Sequence, residues 1–337
     1  MTIMAINVKP HQLKSKIGIL LTMLSTLLVS CNKAGDGAPA AIRFDELLFR
    51  YSPGAMHDSL ERYHPELLPF YSVFTDQVIG IGPDSLPGFS EQLDRFTSDT
   101  MIKGIYSDIT RPGSPYDQLC REVASALSGW GKISGKPAPE VVTYISGFNQ
   151  AFITLPGILG IGLDRYLGSE SRWYKSLDIP VYLRNSLTPD NLPADAVRAW
   201  LYAAMSEPSE GAGFLEKMIY EGKIHYLASK LLKNTGEEQL FHYTEEQVRW
   251  CRDHEKAMWK YLAEQKVLFS TDRLMARKFL EDAPFTRDFG NDSPGRAGIW
   301  IGYRIISSYM KATGLDLSAL AGASDAREIL SASKYHP

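Results

Sequence analysis

The sequence predicts an α+β fold, mostly helical with one small sheet. Apolar stripes at helical spacing run almost unbroken from residue 189 to the end. Only residues 140–165 read as short β-branched and aromatic runs. Upstream, residues 43–135 form short helical units separated by the Pro/Gly clusters at 83–88 and 112–115. With 44% hydrophobic and 22% charged residues, the composition is that of an ordinary globular chain.

Residues 1–30 are a separate object. MTIMAINVKPHQLKSK is basic and has no acid, and IGILLTMLSTLLVS is apolar but short for a membrane span. This order predicts a signal peptide. Leu28-Val29-Ser30-Cys31 resembles a bacterial lipobox, which makes Cys31 the expected site of lipid attachment. One acyl chain holds only marginally, at roughly 0.8 kcal/mol per buried methylene, so stable anchoring takes several chains. Residues 31–42 then read as a lipidated tether rich in small residues, and 43–337 as a single globular domain. Cleavage removes three lysines and no acid, leaving a net charge of −6, which favours neither nucleic acid nor an anionic surface.

Within the domain, Ser114-Pro115 before YDQLCREVASAL reads as a helix start. Residues 140–165 predict about three strands: EVVTYIS and AFITL joined as a hairpin through GFNQ, with GILGIG at an edge. Helices are expected over 189–205, 213–233, 244–266, 271–280, 293–311 and 325–334. Thr244 to Gln247 forms a capping-box pattern, and Ser293-Pro294 repeats the Ser-Pro start. An envelope location would allow Cys120 and Cys251 to pair, but each lies in a predicted helix, and two buried free thiols are equally expected.

The helix 213–232, GFLEKMIYEGKIHYLASKLL, carries the most telling chemistry. Phe214, Met218, Glu221, His225 and Ala228 share one narrow stripe, with further apolar residues on both sides. A carboxylate in such a setting must be paired, protonated or metal-bound. Arg198 or Arg304 on a neighbouring helix would serve as its partner, Arg304 being preferred, and His225 would bond a backbone carbonyl. On the helix 293–311, Gly298 and Gly302 would let another helix approach, and Ile299, Tyr303, Ile306 and Met310 would face the core. Arg296, Tyr303 and Arg304 would alternatively line a cleft opposite Glu221.

A Glu-Gly on a second helix after a small sheet resembles the gluzincin-like metallopeptidases, where HExxH on the first helix and a glutamate on the second hold zinc. Here the first helix reads AVRAWLYAAM, without histidine. In that comparison Trp200 to Ala204 stand where HExxH would be. The one His-Glu, His254-Glu255, has no second histidine four residues on. No metal, cofactor or catalytic residue is therefore assigned. A non-standard metal-dependent hydrolase around Glu221, His225 and His254 is the alternative. The motifs GxSxG and GxxxxGK[ST] are missing.

Six stretches together resemble one family: TYISGFN (143–149), GILGIGLDRYLG (157–168), LEKMIYEGKIHYL (215–227), STDRLMARKFLEDAPFT (270–286), SPGRAGIWIGYRIISSYM (293–310) and ILSASKYHP (329–337). They resemble the gliding-motility lipoprotein family GldB of Bacteroidetes-type bacteria. The resemblance implies a lipid-anchored cell-envelope protein, periplasmic in aspect, working with envelope proteins of the gliding and type IX secretion machinery. It implies no enzymatic activity, and it implies a zincin-like fold with a degenerate site. The candidate vestigial cleft comprises Glu221, His225, Trp200, Arg296, Tyr303 and Arg304. The expected role is a non-catalytic scaffold or a peptide- or protein-binding component.

Overall fold

The computed structural model of the protein describes residues 40–337 and the backbone of a strand at 5–7. Apart from that strand, the expected signal peptide, the lipidation site Cys31 and most of the tether lie outside the described residues.

The α+β expectation holds. Four short helices come first: α1 (Phe44–Arg50), α2 (Met56–Tyr63), α3 (Leu68–Val73) and α4 (Phe89–Ser98). Then come α5 (Thr100–Thr110) and α6 (Tyr116–Ser134). The sheet contains β1 (Ala5–Asn7), β2 (Ile42–Arg43), β3 (Glu140–Tyr144), β4 (Phe152–Leu155) and β5 (Ile158–Gly162), in the order β1-β4-β5-β3-β2. Two small helices follow, α7 (Arg172–Ser176) and α8 (Val181–Arg184). The remaining helices are α9 (Leu192–Ala204), α10 (Phe214–Leu231), α11 (Glu237–Phe241), α12 (Glu245–Glu264), α13 (Arg273–Leu280), α14 (Ala297–Thr313), α15 (Leu317–Gly322) and α16 (Ala326–Ser333).

The strand pairing differs from the expected one. The hairpin joins β4 to β5, antiparallel with Leu155 opposite Ile158, and not β3 to β4. Pro156-Gly157 makes its turn, and Gly157 takes φ +79°, a conformation that disfavours any residue with a Cβ. The run GILGIG is central rather than an edge: β5 also pairs parallel with β3, and β2 pairs parallel with β3. The GFNQ segment is a crossover loop, held by the buried Asp164, which accepts from the Ser146 and Phe148 backbone N–H groups at 3.0 and 2.6 Å.

Side chains alternate across this sheet, so it sits between two cores. Val142, Tyr144 and Ile153 face the cluster of Phe44, Leu60, Phe70 and Phe74 from α1–α3 and the turn that follows. Val141, Phe152, Leu159 and Ile161 face the larger cluster built by α5, α6 and everything after the sheet.

The Glu-Gly pair on α10 has a packing cause. Gly222 lies against Gly302 of α14, where an added Cβ would fall 2.7 Å from the Tyr303 backbone nitrogen. The small residues therefore bring two helix backbones into contact. Helix α14 does not start at Ser293-Pro294. It starts at Ala297, whose N–H donates to Thr286 Oγ1 at 3.2 Å, while Ser293 donates to the Thr286 carbonyl at 3.0 Å. Ser114 likewise makes no side-chain cap for α6. Cys120 and Cys251 are buried free thiols.

Candidate functional site

Helices α9, α10, α13 and α14 enclose a cavity of about 650 Å3, with Thr154 of β4 also on its wall. Arg198 and Tyr202 of α9, Glu221 and Tyr220 of α10 and Arg296 at the head of α14 form much of its polar lining. A second cavity of about 280 Å3 shares Asp282 and Arg296 with the first. A third, of about 650 Å3, shares Glu207, Pro208, Ser209 and Tyr220. These shared residues are the walls between the three cavities.

Glu221 is placed on the wall of this cleft, with its side chain 23% exposed. Its partner is neither Arg304 nor any other guanidinium. The Tyr202 hydroxyl donates to its carboxylate. Burial raises the pKa of Glu221, and the Tyr202 bond and the nearby Arg198 and Arg296 only partly oppose this.

Arg198 is occupied elsewhere. It pairs with Asp195 one turn back on α9, and its Nη1 donates to His225 Nε2 at 2.7 Å. His225 Nδ1 donates to the Glu221 backbone carbonyl at 2.8 Å, as the sequence suggested. These two bonds fix the tautomer, with the proton on Nδ1. Burial and Arg198 hold the His225 pKa well below the ordinary value, so the ring is neutral. It stacks on Phe241 with centroids 5.1 Å apart.

Asp195 is the hub of the cluster and was not singled out from sequence. It accepts from Arg198, from His242 Nε2 at 2.7 Å and from the Tyr166 hydroxyl at 2.9 Å. Burial pushes its pKa up, yet His242 and Arg198 outweigh that and hold it well below the usual carboxylate range. For His242, burial outweighs the attraction of Asp195 and lowers the pKa to about 4. Arg296 takes a left-handed conformation (φ +59°) ahead of α14, reaches the Phe241 carbonyl at 2.7 Å and pairs with Asp282 at 3.1 Å.

The remaining candidates lie elsewhere. Arg304 pairs with Glu255 at 3.0 Å, and the Tyr335 hydroxyl donates to the same carboxylate at 2.8 Å, which ties α12, α14 and the C-terminal segment together. Tyr303 joins an aromatic group with Phe241 and Trp300. Trp200 is half-buried against the larger core and is not part of the cleft lining. His254 is exposed and stacks on Trp250, 4.2 Å between centroids. The side chains opposite Glu221 are therefore Arg198 and Tyr202, four apart on α9, rather than Trp200 and Ala204. A zinc ligand pair four apart needs imidazoles. A guanidinium paired with Asp195 and a tyrosine hydroxyl bonded to Glu221 do not fit that ion. Among the described residues, no group of three or more His, Cys, Asp or Glu could hold a metal ion.

Sheet, helical layers and cleft define a mostly helical α+β protein with a cleft floored by paired charges. A family model described as gliding motility protein GldB matches residues 38–337, and the chain belongs to that family. No curated protein and no solved structure matches it. No helix among the described residues is long and apolar enough to cross a membrane.

Proposed function

We propose that this protein is a lipid-anchored, non-catalytic component of the gliding-motility and type IX secretion machinery of the cell envelope. Its groove is a binding site for an extended peptide segment of an envelope partner, built on a degenerate metallopeptidase-like fold. The observation that carries this reading is the floor of the cleft. Arg198 and Tyr202 take the two positions facing Glu221 and are engaged by Asp195, His225 and Glu221. Three cavities sharing walls suit a chain-like ligand better than a compact one. The mixed lining of arginines, carboxyls and tyrosines suits peptide backbone and side chains alike.

Metal analysis and peptidase assay of the purified chain test the proposal. The expected result is no stoichiometric zinc and no cleavage, together with recovery of an envelope protein by crosslinking from a photoreactive residue at Tyr220. Stoichiometric zinc that disappears in Glu221→Ala would overturn it in favour of a hydrolase.

A further inference from the structure

The outer edge of β4 pairs with a segment of the expected leader. Residues 5–7 lie along it in parallel, with Ala5 opposite Phe152, Ile6 opposite Ile153 and Asn7 opposite Thr154. They fall within residues 1–30, which signal cleavage would remove. On the inner side of β4, the Ala151 carbonyl accepts from the Gly162 N–H at 2.8 Å, and the hairpin register alternates from there. Residues 151, 153 and 155 therefore turn their backbone groups to β5, and Phe152 and Thr154 turn theirs outward. In the parallel register, the residue opposite Ile153 brings its N–H to the Phe152 carbonyl and its carbonyl to the Thr154 N–H. Ile6 holds that place.

The two faces of this edge differ. Ile153 and Leu155 belong to the smaller core and Phe152 to the larger. Thr154, on the same face as Phe152, lines the cavity that holds Glu221 and Tyr202. An added strand thus has one face toward the smaller core and one toward the cavity. The position opposite Ile153 suits an apolar residue and that opposite Thr154 a polar one, and Ile6 and Asn7 stand at these positions. Without residues 5–7 the ladder ends at β4, and a bare sheet edge pairs with extended backbone. The tether that remains, NKAGDGAP, consists of residues that strands disfavour, so it is a poor replacement for the lost strand.

We propose that the β4 edge of the processed chain is a strand-addition site, where an extended segment of an envelope partner pairs parallel to Phe152–Leu155 and turns a side chain toward the cavity beside Thr154. Strand addition deepens, and rests on, the peptide-binding reading above, and it requires the leader to be removed. It defines the class of ligand: a segment in β conformation with a free N–H, hence no proline, at the position opposite Ile153. Backbone bonds would hold the segment, and the cavity would select its side chain.

The test uses the chain from residue 32. Both core clusters consist of residues from Ala41 onward, so this chain keeps them. The probe is the leader's own strand, the fluorescein-labelled peptide TIMAINVKP (residues 2–10), read by fluorescence anisotropy. It is made in three forms: unmodified, N-methylated at Ile6 and N-methylated at Asn7. The unmodified peptide should bind saturably. Methylation at Ile6 should weaken it by about tenfold or more, through a lost backbone bond and a clash. Methylation at Asn7, whose N–H points away from β4, should leave the affinity nearly unchanged. Thr154→Pro removes an outward N–H and none that β5 uses, and should abolish binding; if that variant misfolds, the peptide comparison decides alone. Equal binding of the three peptides, loss with either methyl group, or no binding of any overturns the proposal. So does a dimer that the peptide cannot open, which gives the edge to a second copy. Crosslinking at Tyr220 without discrimination between the methylated peptides leaves the peptide-binding reading standing and overturns strand addition alone. Mass analysis of the native N-terminus tests processing, and a mature chain that keeps Met1 keeps its edge covered and overturns the proposal by that route.

Discussion

At the residue scale, the cleft carboxyl of Glu221 and the buried carboxyl of Asp195 differ in sign. The pKa of Glu221 is raised above its ordinary 4.5, so ionising it costs more in the folded chain than in the unfolded one. The stability linked to it is complete below the unfolded value and declines as pH rises through the folded one. Glu221→Gln keeps an acceptor for Tyr202 but cannot ionise. It should flatten this decline when urea midpoints are compared from pH 4 to 8, and parallel profiles for variant and parent would refute the account. Asp195 behaves oppositely. Its depressed pKa supplies stability above the unfolded value of 3.8, which is lost as acid protonates it. Asp195→Ala leaves Arg198 buried without its counter-charge and should destabilise by about 3–5 kcal/mol at pH 7 in denaturant titrations. The sequence disclosed part of this cluster. Glu221 and His225 stood out because polar groups interrupt an apolar stripe, and the His225 carbonyl bond follows from its i, i−4 position. Asp195 and Arg198 lie one turn apart in the apolar stretch LPADAVRAWL and carried the same signal, which could have identified the hub. His242 could not be found in this way, because a left-handed residue ending α11 brings it in and its sequence distance says nothing about that contact.

At the element scale, the α10–α14 crossing makes the sharpest prediction. An alanine at 302 would drive its Cβ into the Met218 carbonyl, and backbone cannot move aside as a side chain can. Gly302→Ala should cost about 1–3 kcal/mol through forced separation of the helices. Gly322→Ala, with open space around it, is the control and should be neutral or slightly stabilising in the same melts. A close approach at Gly298 and Gly302 was legible from their spacing, but not its partners: Gly302 meets Met218 of α10 and Gly298 meets Phe279 of α13. The long helices were legible for the related reason that their stripes repeat over many turns. The sheet was read less well. Its existence followed from β-branched runs, but its order depended on which loop turns tightly. Pro156-Gly157 encodes the tight turn locally, whereas the GFNQ loop takes its shape from Asp164, fourteen residues downstream of Gln150. Arg304 was misassigned because a charge on a helix face does not reveal which of several neighbouring helices holds its partner, and Glu255 of α12 is the one.

At the scale of the whole molecule, the family match covers residues 38–337, and the expected anchor at Cys31 precedes it. Cys31→Ala should accumulate full-length precursor and move the protein out of the membrane fraction, as read by immunoblot of fractionated cells. A mature-sized, membrane-bound variant would count against lipidation. The expected lipid attachment rests on contiguous residues, Leu28 to Cys31, whereas a cleft assembled from four helices is written in no single stretch. One strand joins the two. Residues 5–7, within the expected leader, pair with β4 in parallel, Asn7 opposite Thr154. Removal of the leader would strip the outermost strand from the sheet. Phe152–Leu155 would then have its hydrogen-bonding edge bare and Thr154 beside the groove.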